Sequence, residues 1–292
     1  MTEYSNPQIP EGINVSSEHP LKEFAAMVLG VGLIILVIIL LLAYAAQYAV
    51  RYVPFSVEQN LTKNIEQWDI NKAFESDAHT LDKTHKQAME SYLQSLADQL
   101  IASRKAPYPV VVHYIDSDQV NAFATLGGHL FFTRALLEKM PNENTLAMVM
   151  AHEIAHVSHR DPMVALGRGL TLAIAAASIL GAGDGVLAQN LVGQVNLLTQ
   201  LNFSRSAEMD ADQEALHTLM AHYGHLYGAD TLFKLLRESR DGEEPFEWFS
   251  THPLTEDRLL AIKQFSAQHL SSQKNPKPTP LPILVRELNA TK

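Results

Sequence analysis

The residues of this chain best suited to catalysis stand in one short stretch, His152-Glu153-Ile154-Ala155-His156. Positions i and i+4 of a helix share a face, so the imidazoles of His152 and His156 can bind one metal ion. Glu153 directly follows the first histidine and can lie beside that ion without binding it. There its carboxylate can take a proton from a water on the metal, as in metal-assisted hydrolysis. The spacing therefore predicts a catalytic metal site in which Glu153 is the general base.

The sequence around this motif predicts the helix that the metal site needs. No Pro or Gly occurs from Asn144 to Val157, and apolar residues recur there at spacings of three and four. Asn142 or Asn144 can cap the start of the helix, and Asp161-Pro162 marks its end.

Composition limits both the partners of the chain and the ligands of its metal. The net charge is −10 and the pI about 5.7, which argues against a nucleic-acid partner. The 292 residues include no cysteine, so any metal must be held by histidines and carboxylates. The lack of cysteine is also compatible with the bacterial envelope.

An apolar segment near the N-terminus predicts a membrane anchor over residues 24–50, after a flexible tail over residues 1–23. Its centre, Val28 to Ala46, is uncharged and rich in Leu, Ile and Val. A cleaved signal peptide is the competing interpretation, but the apolar core is too long and the start too acidic. Flanking charges hardly favour either orientation. Because a retained anchor most often leaves its tail in the cytoplasm, we expect a single-pass protein of the bacterial inner membrane with a periplasmic catalytic domain.

The remaining pattern predicts an α+β fold that is mainly α, with one domain over residues 55–272 and a Pro-rich tail over residues 273–292. Before the metal motif we expect helices over 55–105, a strand over 110–115, a β-hairpin with a glycine turn over 120–133 and a short helix to 139. After the metal-motif helix we expect a buried or interfacial helical hairpin over 170–183 and, at 283–288, a strand or a packed segment.

Two histidines leave a catalytic zinc site incomplete, because such a site needs a third protein ligand. The metzincin pattern fails, since it requires Gly at position 159 and His at position 162, and this chain has His159 and Pro162. Ser204 or Ser206 can instead cap a helix that carries Glu208 and Asp212 on one face. We therefore expect Glu208 to bind the metal and Asp212 to accept the second N–H of a ligand histidine.

These motifs, followed by Thr251-His252-Pro253 and Arg258, resemble the gluzincin metallopeptidases of the HtpX and CAAX-prenyl-protease family. The hairpin that runs from Asn121 to Thr133 is also similar to theirs. The resemblance covers roughly residues 75–270 and keeps four motifs in the same order.

The resemblance implies a zincin-like domain with an antiparallel sheet, and a zinc endopeptidase acting on proteins or peptides in envelope quality control. The implied ligands of one Zn²⁺ are His152, His156 and Glu208, with Glu153 as general base. His252 is implied to stabilise the oxyanion or to block the metal transiently, and Arg258 to pair with an acid near the site. The implied substrate-binding strand consists of Asn121, Ala122, Phe123 and Ala124.

The chain departs from the HtpX pattern in its membrane segments. HtpX-type members have two spans before the motif, whereas here one clear span precedes it, which is closer to a singly anchored or soluble periplasmic branch. Two other functions remain open. One is an envelope chaperone or scaffold whose zinc site is structural or latent, and the other is a zinc hydrolase acting on a non-peptide bond.

Overall fold

The computed structural model describes residues 19–63, 83–180, 203–229, 231–232, 248–253, 255–269 and 277–289. Helices dominate, and one small sheet lies beside them. In chain order the elements are α1 Pro20–Ala49, α2 Phe55–Thr62, α3 Lys83–Arg104, β1 Val111–Ile115, β2 Ala122–Ala124, β3 His129–Thr133, α4 Arg134–Lys139, α5 Glu143–His159, α6 Asp161–Leu180, α7 Arg205–Tyr223, α8 Trp248–Thr251, α9 Glu256–His269 and α10 Ile283–Arg286.

Helix α1 contains the predicted anchor. Within its segment Pro20–Ala46, an 18-residue stretch has a mean hydropathy of 3.2 and is not buried, and the segment is long and apolar enough to cross a membrane. Helix α6 packs along α1, and Gly167 of α6 lies against Val50, just past the end of α1. Residues 170–180, where a helical hairpin was expected, form the second half of the uninterrupted helix α6, and residues 181–183 lie outside the described part of the chain.

The sheet has the order β1-β3-β2 and is mixed. The predicted hairpin is present, since β2 pairs antiparallel with β3 from Ala122–Phe132 to Ala124–Leu130. Strand β1, however, runs parallel to β3, so the expectation of a purely antiparallel sheet was wrong in this detail. The reason is that β1 pairs with β3, the second strand of the hairpin, and not with β2, the strand that follows it in the sequence. The alternation of apolar and polar residues within a strand does not show which strand will be its neighbour.

Helix α5 is the centre of the domain, and almost all of its residues are buried. Its predicted cap is present, because the Asn142 side chain accepts a hydrogen bond from Thr145 N at 2.9 Å. The helix ends at Arg160, whose left-handed backbone (φ 64°) turns the chain into α6. Helix α7 packs closely along α5, and this pairing sets the face of α7 against the metal motif.

The C-terminal segment packs against the domain. Leu281, Val285 and Leu288 are buried in the main core, and the Asn144 side chain accepts a hydrogen bond from Thr279 N at 2.7 Å. Residues 283–289 form α10 and a 3₁₀ turn, so the packed alternative was right and the strand alternative was wrong. The N-terminal tail over residues 1–18 lies outside the described part of the chain.

Candidate active site

The two histidines of α5 are held by carboxylates that orient both rings in the same way. Nδ1 of His152 lies 3.0 Å from Oδ1 of Asp212, and Nδ1 of His156 lies 2.8 Å from Oδ2 of Asp161. His156 shares a hydrogen bond with Asp161, and the Asp212 carboxylate pairs with Nδ1 of His152, so each Nε2 is free to donate its lone pair. The two Nε2 atoms lie 3.1 Å apart and face the same point, as metal ligands would.

Helix α7 supplies the third candidate ligand. Ser204 caps this helix by accepting a hydrogen bond from Ala207 N at 3.2 Å. One turn into the helix, Oε2 of Glu208 lies 3.3 Å from Nε2 of His152, and Oε1 lies 3.5 Å from Nε2 of His156. The structure therefore brings together the three residues that the sequence nominated as ligands.

Arg258 of α9 lies behind these groups and is fully buried. Its guanidinium donates from Nε and Nη2 to the two oxygens of Asp212 at 2.6 and 2.8 Å. Its Nη1 lies 2.8 Å from Oε2 of Glu208. Arg258 was expected to pair with one acid near the site, and it pairs with two. It thus connects the candidate ligand Glu208 to the carboxylate beside His152.

His252 lies inside the cluster and not at its rim. Its Nδ1 lies 3.0 Å from Oε1 of Glu208 and 3.3 Å from Nε2 of His152, and the side chain is buried. Together His152, His156, Glu208 and His252 offer one ligand atom each, all within 4.8 Å of one another. This is a candidate set of four ligands in which a catalytic site would need three.

The spacing of these atoms fits a zinc ion. Tetrahedral zinc with bonds of about 2.0–2.1 Å needs ligand atoms about 3.3 Å apart. Five of the contacts among His152, His156, His252 and Glu208 lie at 3.0 to 3.5 Å, and the four ligand atoms all lie within 4.8 Å of one another. Histidine and carboxylate are also donor types that zinc prefers.

The electrostatics of the cluster also favour a cation. Burial lowers the pKa of His152, but its hydrogen bonds with Asp212 and Glu208 outweigh this effect, and the net pKa is raised. The same balance at His156, with Asp161 and Glu208 as partners, raises its pKa to about 10. Imidazoles that hold a proton so firmly lie in a strongly negative surrounding, and a divalent cation is stabilised by the same field.

The pKa values of Glu208 and His252 are both lowered. Burial raises the pKa of the Glu208 carboxyl, but the nearby His252, His152 and His156 together hold that pKa well below its usual range. Glu208 is therefore an anion under all ordinary conditions and a ready metal ligand. For His252, burial outweighs the attraction of Glu153 and Glu208, and its pKa is lowered. A neutral imidazole of this kind can donate a lone pair to a metal.

Glu153 is fully buried beside the candidate ligands. Its Oε1 accepts a hydrogen bond from Nε1 of Trp248 at 3.1 Å and lies 3.6 Å from Nε2 of His252. Its Oε2 has no hydrogen-bond partner among the described residues. A buried carboxylate oxygen without a partner is costly, so this oxygen marks the place where a water or a substrate proton would bind.

The proposed substrate strand lies next to α5, at one edge of the sheet. The strand itself is Ala122–Ala124, with all three residues buried. Asn121 precedes it and is fixed to β3, since its backbone N–H donates to Oγ1 of Thr133 at 3.0 Å. Immediately before it, the carbonyl of Val120 accepts from the backbone N–H of Trp248 at 3.3 Å. The strand and the partner of Glu153 are thus directly connected.

Three residues at the site were missed in the sequence. Asp161 was interpreted only as a helix end, although its position five residues after His156 carried a signal. Trp248 stands far from the motif in the chain, and no local pattern indicated it. Phe203, which stacks on His156 with ring centroids 4.1 Å apart, was likewise not indicated.

The fold and the site define a class of metallohydrolase in which a helix carries His-Glu-x-x-His and a second helix provides a glutamate. The family comparison agrees. Residues 87–266 match the model for Peptidase family M48, which is more than half of the chain, and the protein belongs to that family. Members of this family are zinc metallopeptidases, so zinc is the metal of this site class.

The chain is also similar to beta-barrel assembly-enhancing proteases. It is 32% identical over 196 residues to that of Escherichia coli, which covers 62% of this chain and 39% of the relative. It is 29% identical over 202 residues to that of Yersinia pestis, covering 65% of this chain and 40% of the relative. The chain thus spans about 40% of the length of these curated relatives. They are not named as HtpX or CAAX proteases, so the resemblance is confirmed at the level of the family.

Proposed function

We propose that this protein is a zinc-dependent endopeptidase held in a membrane by α1. The observation that carries the proposal is that His152, His156 and Glu208 aim at one buried point, with Glu153 beside it, in a chain of family M48.

The roles of the residues follow from their contacts. Zinc, when bound by His152, His156 and Glu208, supplies Lewis-acid polarisation and lowers the pKa of water. Glu153 takes a proton from the attacking water through its unpartnered Oε2 and delivers it to the leaving amine. The N–H of Trp248 holds the other oxygen, Oε1, and so keeps the carboxylate in one orientation.

We assign substrate binding to the edge strand Ala122–Ala124. An edge strand can form backbone hydrogen bonds with an extended peptide. A small molecule cannot form such a ladder, so the edge strand favours polypeptide substrates. The position of this strand beside α5 supports the assignment, because a peptide paired there would pass close to Glu153.

We further propose that the substrates are envelope proteins and that the domain is periplasmic. The relatives are named for enhancing β-barrel assembly, and proteins undergoing assembly expose extended segments. Within the described residues, Pro20–Ala46 is the one helix that could span a membrane, which supports the proposal that this protein is a singly anchored member of the family.

A second function is favoured by one observation, the position of His252 within the ligand cluster. Four protein ligands are typical of structural zinc sites, whereas catalytic sites keep one position open. With Nδ1 of His252 3.0 Å from Oε1 of Glu208, the protein could be a zinc-binding chaperone or scaffold of the envelope with a latent or non-proteolytic site.

The proposal is tested with the full chain in detergent, by measuring zinc content and casein cleavage for the wild type and Glu153→Gln. We expect one zinc in each protein, with cleavage in the variant reduced by about 10²–10⁴-fold. Glu256→Gln, at an exposed position of α9, is the matched control and should cleave at the wild-type rate.

Equal cleavage by wild type and Glu153→Gln would remove Glu153 from the mechanism. Zinc in both proteins with cleavage in neither would favour the chaperone or scaffold. Turnover of a non-peptide ester without peptide fragments would instead make the protein a hydrolase of another class.

A further inference from the structure

Helix α2 differs from an ordinary surface helix, because part of its exposed face is apolar and part of its buried face is polar. It buries polar residues, since Glu58 is 2% exposed and Thr62 is fully buried. It exposes two large apolar side chains, Val57 at 39% and Leu61 at 46%, beside exposed polar residues, the mixture that suits a membrane–water interface. Val57 and Leu61 are four residues apart and therefore share the outer face of the helix.

Charged contacts fix the rotation of α2. Oε2 of Glu58 accepts a hydrogen bond from Gly127 N at 3.1 Å, and Oε1 accepts from Nε of Arg160 at 2.5 Å. Arg160 also donates from Nη1 to the carbonyl of Val53 at 2.8 Å. A buried carboxylate between two donors cannot leave its position without losing both, so the helix cannot roll to hide Val57 and Leu61.

The place of α2 in the chain indicates what covers this face. Only residues 50–54 separate α2 from α1, the candidate membrane span. Tyr44, Tyr48 and Tyr52 lie exposed at that end of α1 and in the 3₁₀ turn that follows, and tyrosine is enriched where proteins cross the membrane–water interface. Within the short connection, Val50 and Val53 pack on the Leu126–Met163 cluster, so α2 is held close to the end of the span.

We propose that the outer face of α2, formed by Val57 and Leu61, lies in the headgroup region of the bilayer that α1 spans. This inference rests on the anchoring part of the proposed function. A lipid surface is the occupant that the structure favours, because α1 already holds α2 beside it and no separate encounter is needed.

The same contacts connect the membrane surface to the active site. Glu58 touches the turn between β2 and β3 through Gly127, and it touches the end of α5 through Arg160. Arg160 directly precedes Asp161, which orients His156. The catalytic helix and the edge strand are therefore fixed against a helix lying on the bilayer, and the substrates are polypeptide segments at the membrane surface.

The absence of cysteine from the sequence permits a direct test. Leu61→Cys and, independently, Val57→Cys are labelled with the fluorophore NBD in the full chain and reconstituted in vesicles of phosphatidylcholine and phosphatidylglycerol. Lipids carrying a nitroxide near the headgroup or deep in the acyl chain then report the depth of the probe. Leu33→Cys in the middle of α1 and Leu260→Cys, 55% exposed on α9, are the membrane and water controls.

We expect the probes at positions 57 and 61 to be quenched more by the shallow nitroxide than by the deep one, as for a face roughly 5–10 Å into the interface. The probe at position 33 should show the reverse order, and the probe at position 260 should be quenched by neither. Water-like emission at positions 57 and 61, with position 33 in lipid, would overturn this inference alone. A blue-shifted probe that no lipid nitroxide quenches would overturn it in favour of a protein contact. Loss of quenching at position 33 would overturn the anchor as well.

Discussion

Nδ1 of His252 lies 3.0 Å from Oε1 of Glu208, so a fourth possible ligand stands within the three-residue metal set. The ring of His252 is held there by stacking on Trp248, with centroids 4.9 Å apart. Trp248 also donates to Glu153, the proposed general base. Helix α8 and the residue directly after it thus carry Trp248, which orients the proposed base, and His252, which can close the site.

We predict that His252→Ala cleaves casein faster than the wild type and keeps its zinc. Three ligands remain, and the substitution removes the group that competes for the fourth position. If the open form is at most about 10% populated, the rate should rise by about tenfold or more. Initial rates and zinc content are measured together, with the exposed His85→Ala as control. A fall in rate with zinc retained would instead assign His252 to stabilisation of the oxyanion.

We predict that Asp212→Asn weakens zinc binding by roughly 10–100-fold. An asparagine amide has no negative charge to pair with Nδ1 of His152. It also cannot accept both of the hydrogen bonds that Arg258 donates to the two oxygens of Asp212. Asp210→Asn is the matched control, two residues away on the exposed side of the same helix. Affinity is measured by competition with a chelator, and circular dichroism checks the fold. Equal affinities for the two variants would mean that Asp212 does not orient the ligand.

The parts of the site that could be predicted from the sequence are those with a regular spacing. His152 and His156 are one helical turn apart, and Glu208 and Asp212 repeat that spacing on a second helix. A capping asparagine and an uninterrupted apolar pattern defined α5, because such signals are local. The hairpin was predicted for the same reason, since alternation and a Gly-Gly turn lie within a few residues.

What could not be predicted depends on the chain turning or on distant segments meeting. Asp161 reaches His156 only because Arg160 adopts a left-handed conformation and reverses the path of the backbone. Trp248 reaches Glu153 from 95 positions away. The parallel pairing of β1 with β3 and the burial of Val285 are likewise consequences of tertiary packing and leave no local pattern.

We predict that the protein loses stability as the pH falls from about 6.5 to 4, and that His113 contributes to the loss. Burial, with smaller effects from His129 and Lys86, lowers the pKa of His113 to about 4. Between pH 4 and 6.5, His113 is protonated in the unfolded chain but neutral in the folded chain. The free energy of unfolding therefore rises with pH across this window. The contribution is at most roughly 3 kcal/mol.

The slope of stability against pH is the quantity to measure, by urea unfolding at several pH values for the wild type and His113→Asn. The variant should have a shallower slope between pH 6.5 and 4, whatever its stability at neutral pH. Parallel slopes for the two proteins would show that His113 titrates normally. Zinc release affects both proteins equally and cancels in the comparison.

We predict that Gly127→Ala destabilises the protein far more than Gly224→Ala does. Both glycines have left-handed backbones, with φ of 71° and 74°, so alanine costs about 1 kcal/mol at either position. At Gly224 a Cβ would meet no atom within 4 Å, whereas at Gly127 it would overlap Oγ1 of Thr62 and press on the carbonyl of Glu58. Relieving that overlap must displace the Thr62 hydroxyl, which donates to the carbonyl of Glu58, and press α2 away from Gly127; together these changes add roughly 3 kcal/mol. Chemical denaturation of the two variants measures the difference directly, since the backbone term is common to both. Equal losses of stability in the two variants would mean that α2 moves at little energetic cost. A helix that moves so easily could not fix the hairpin turn and the end of α5 against a membrane.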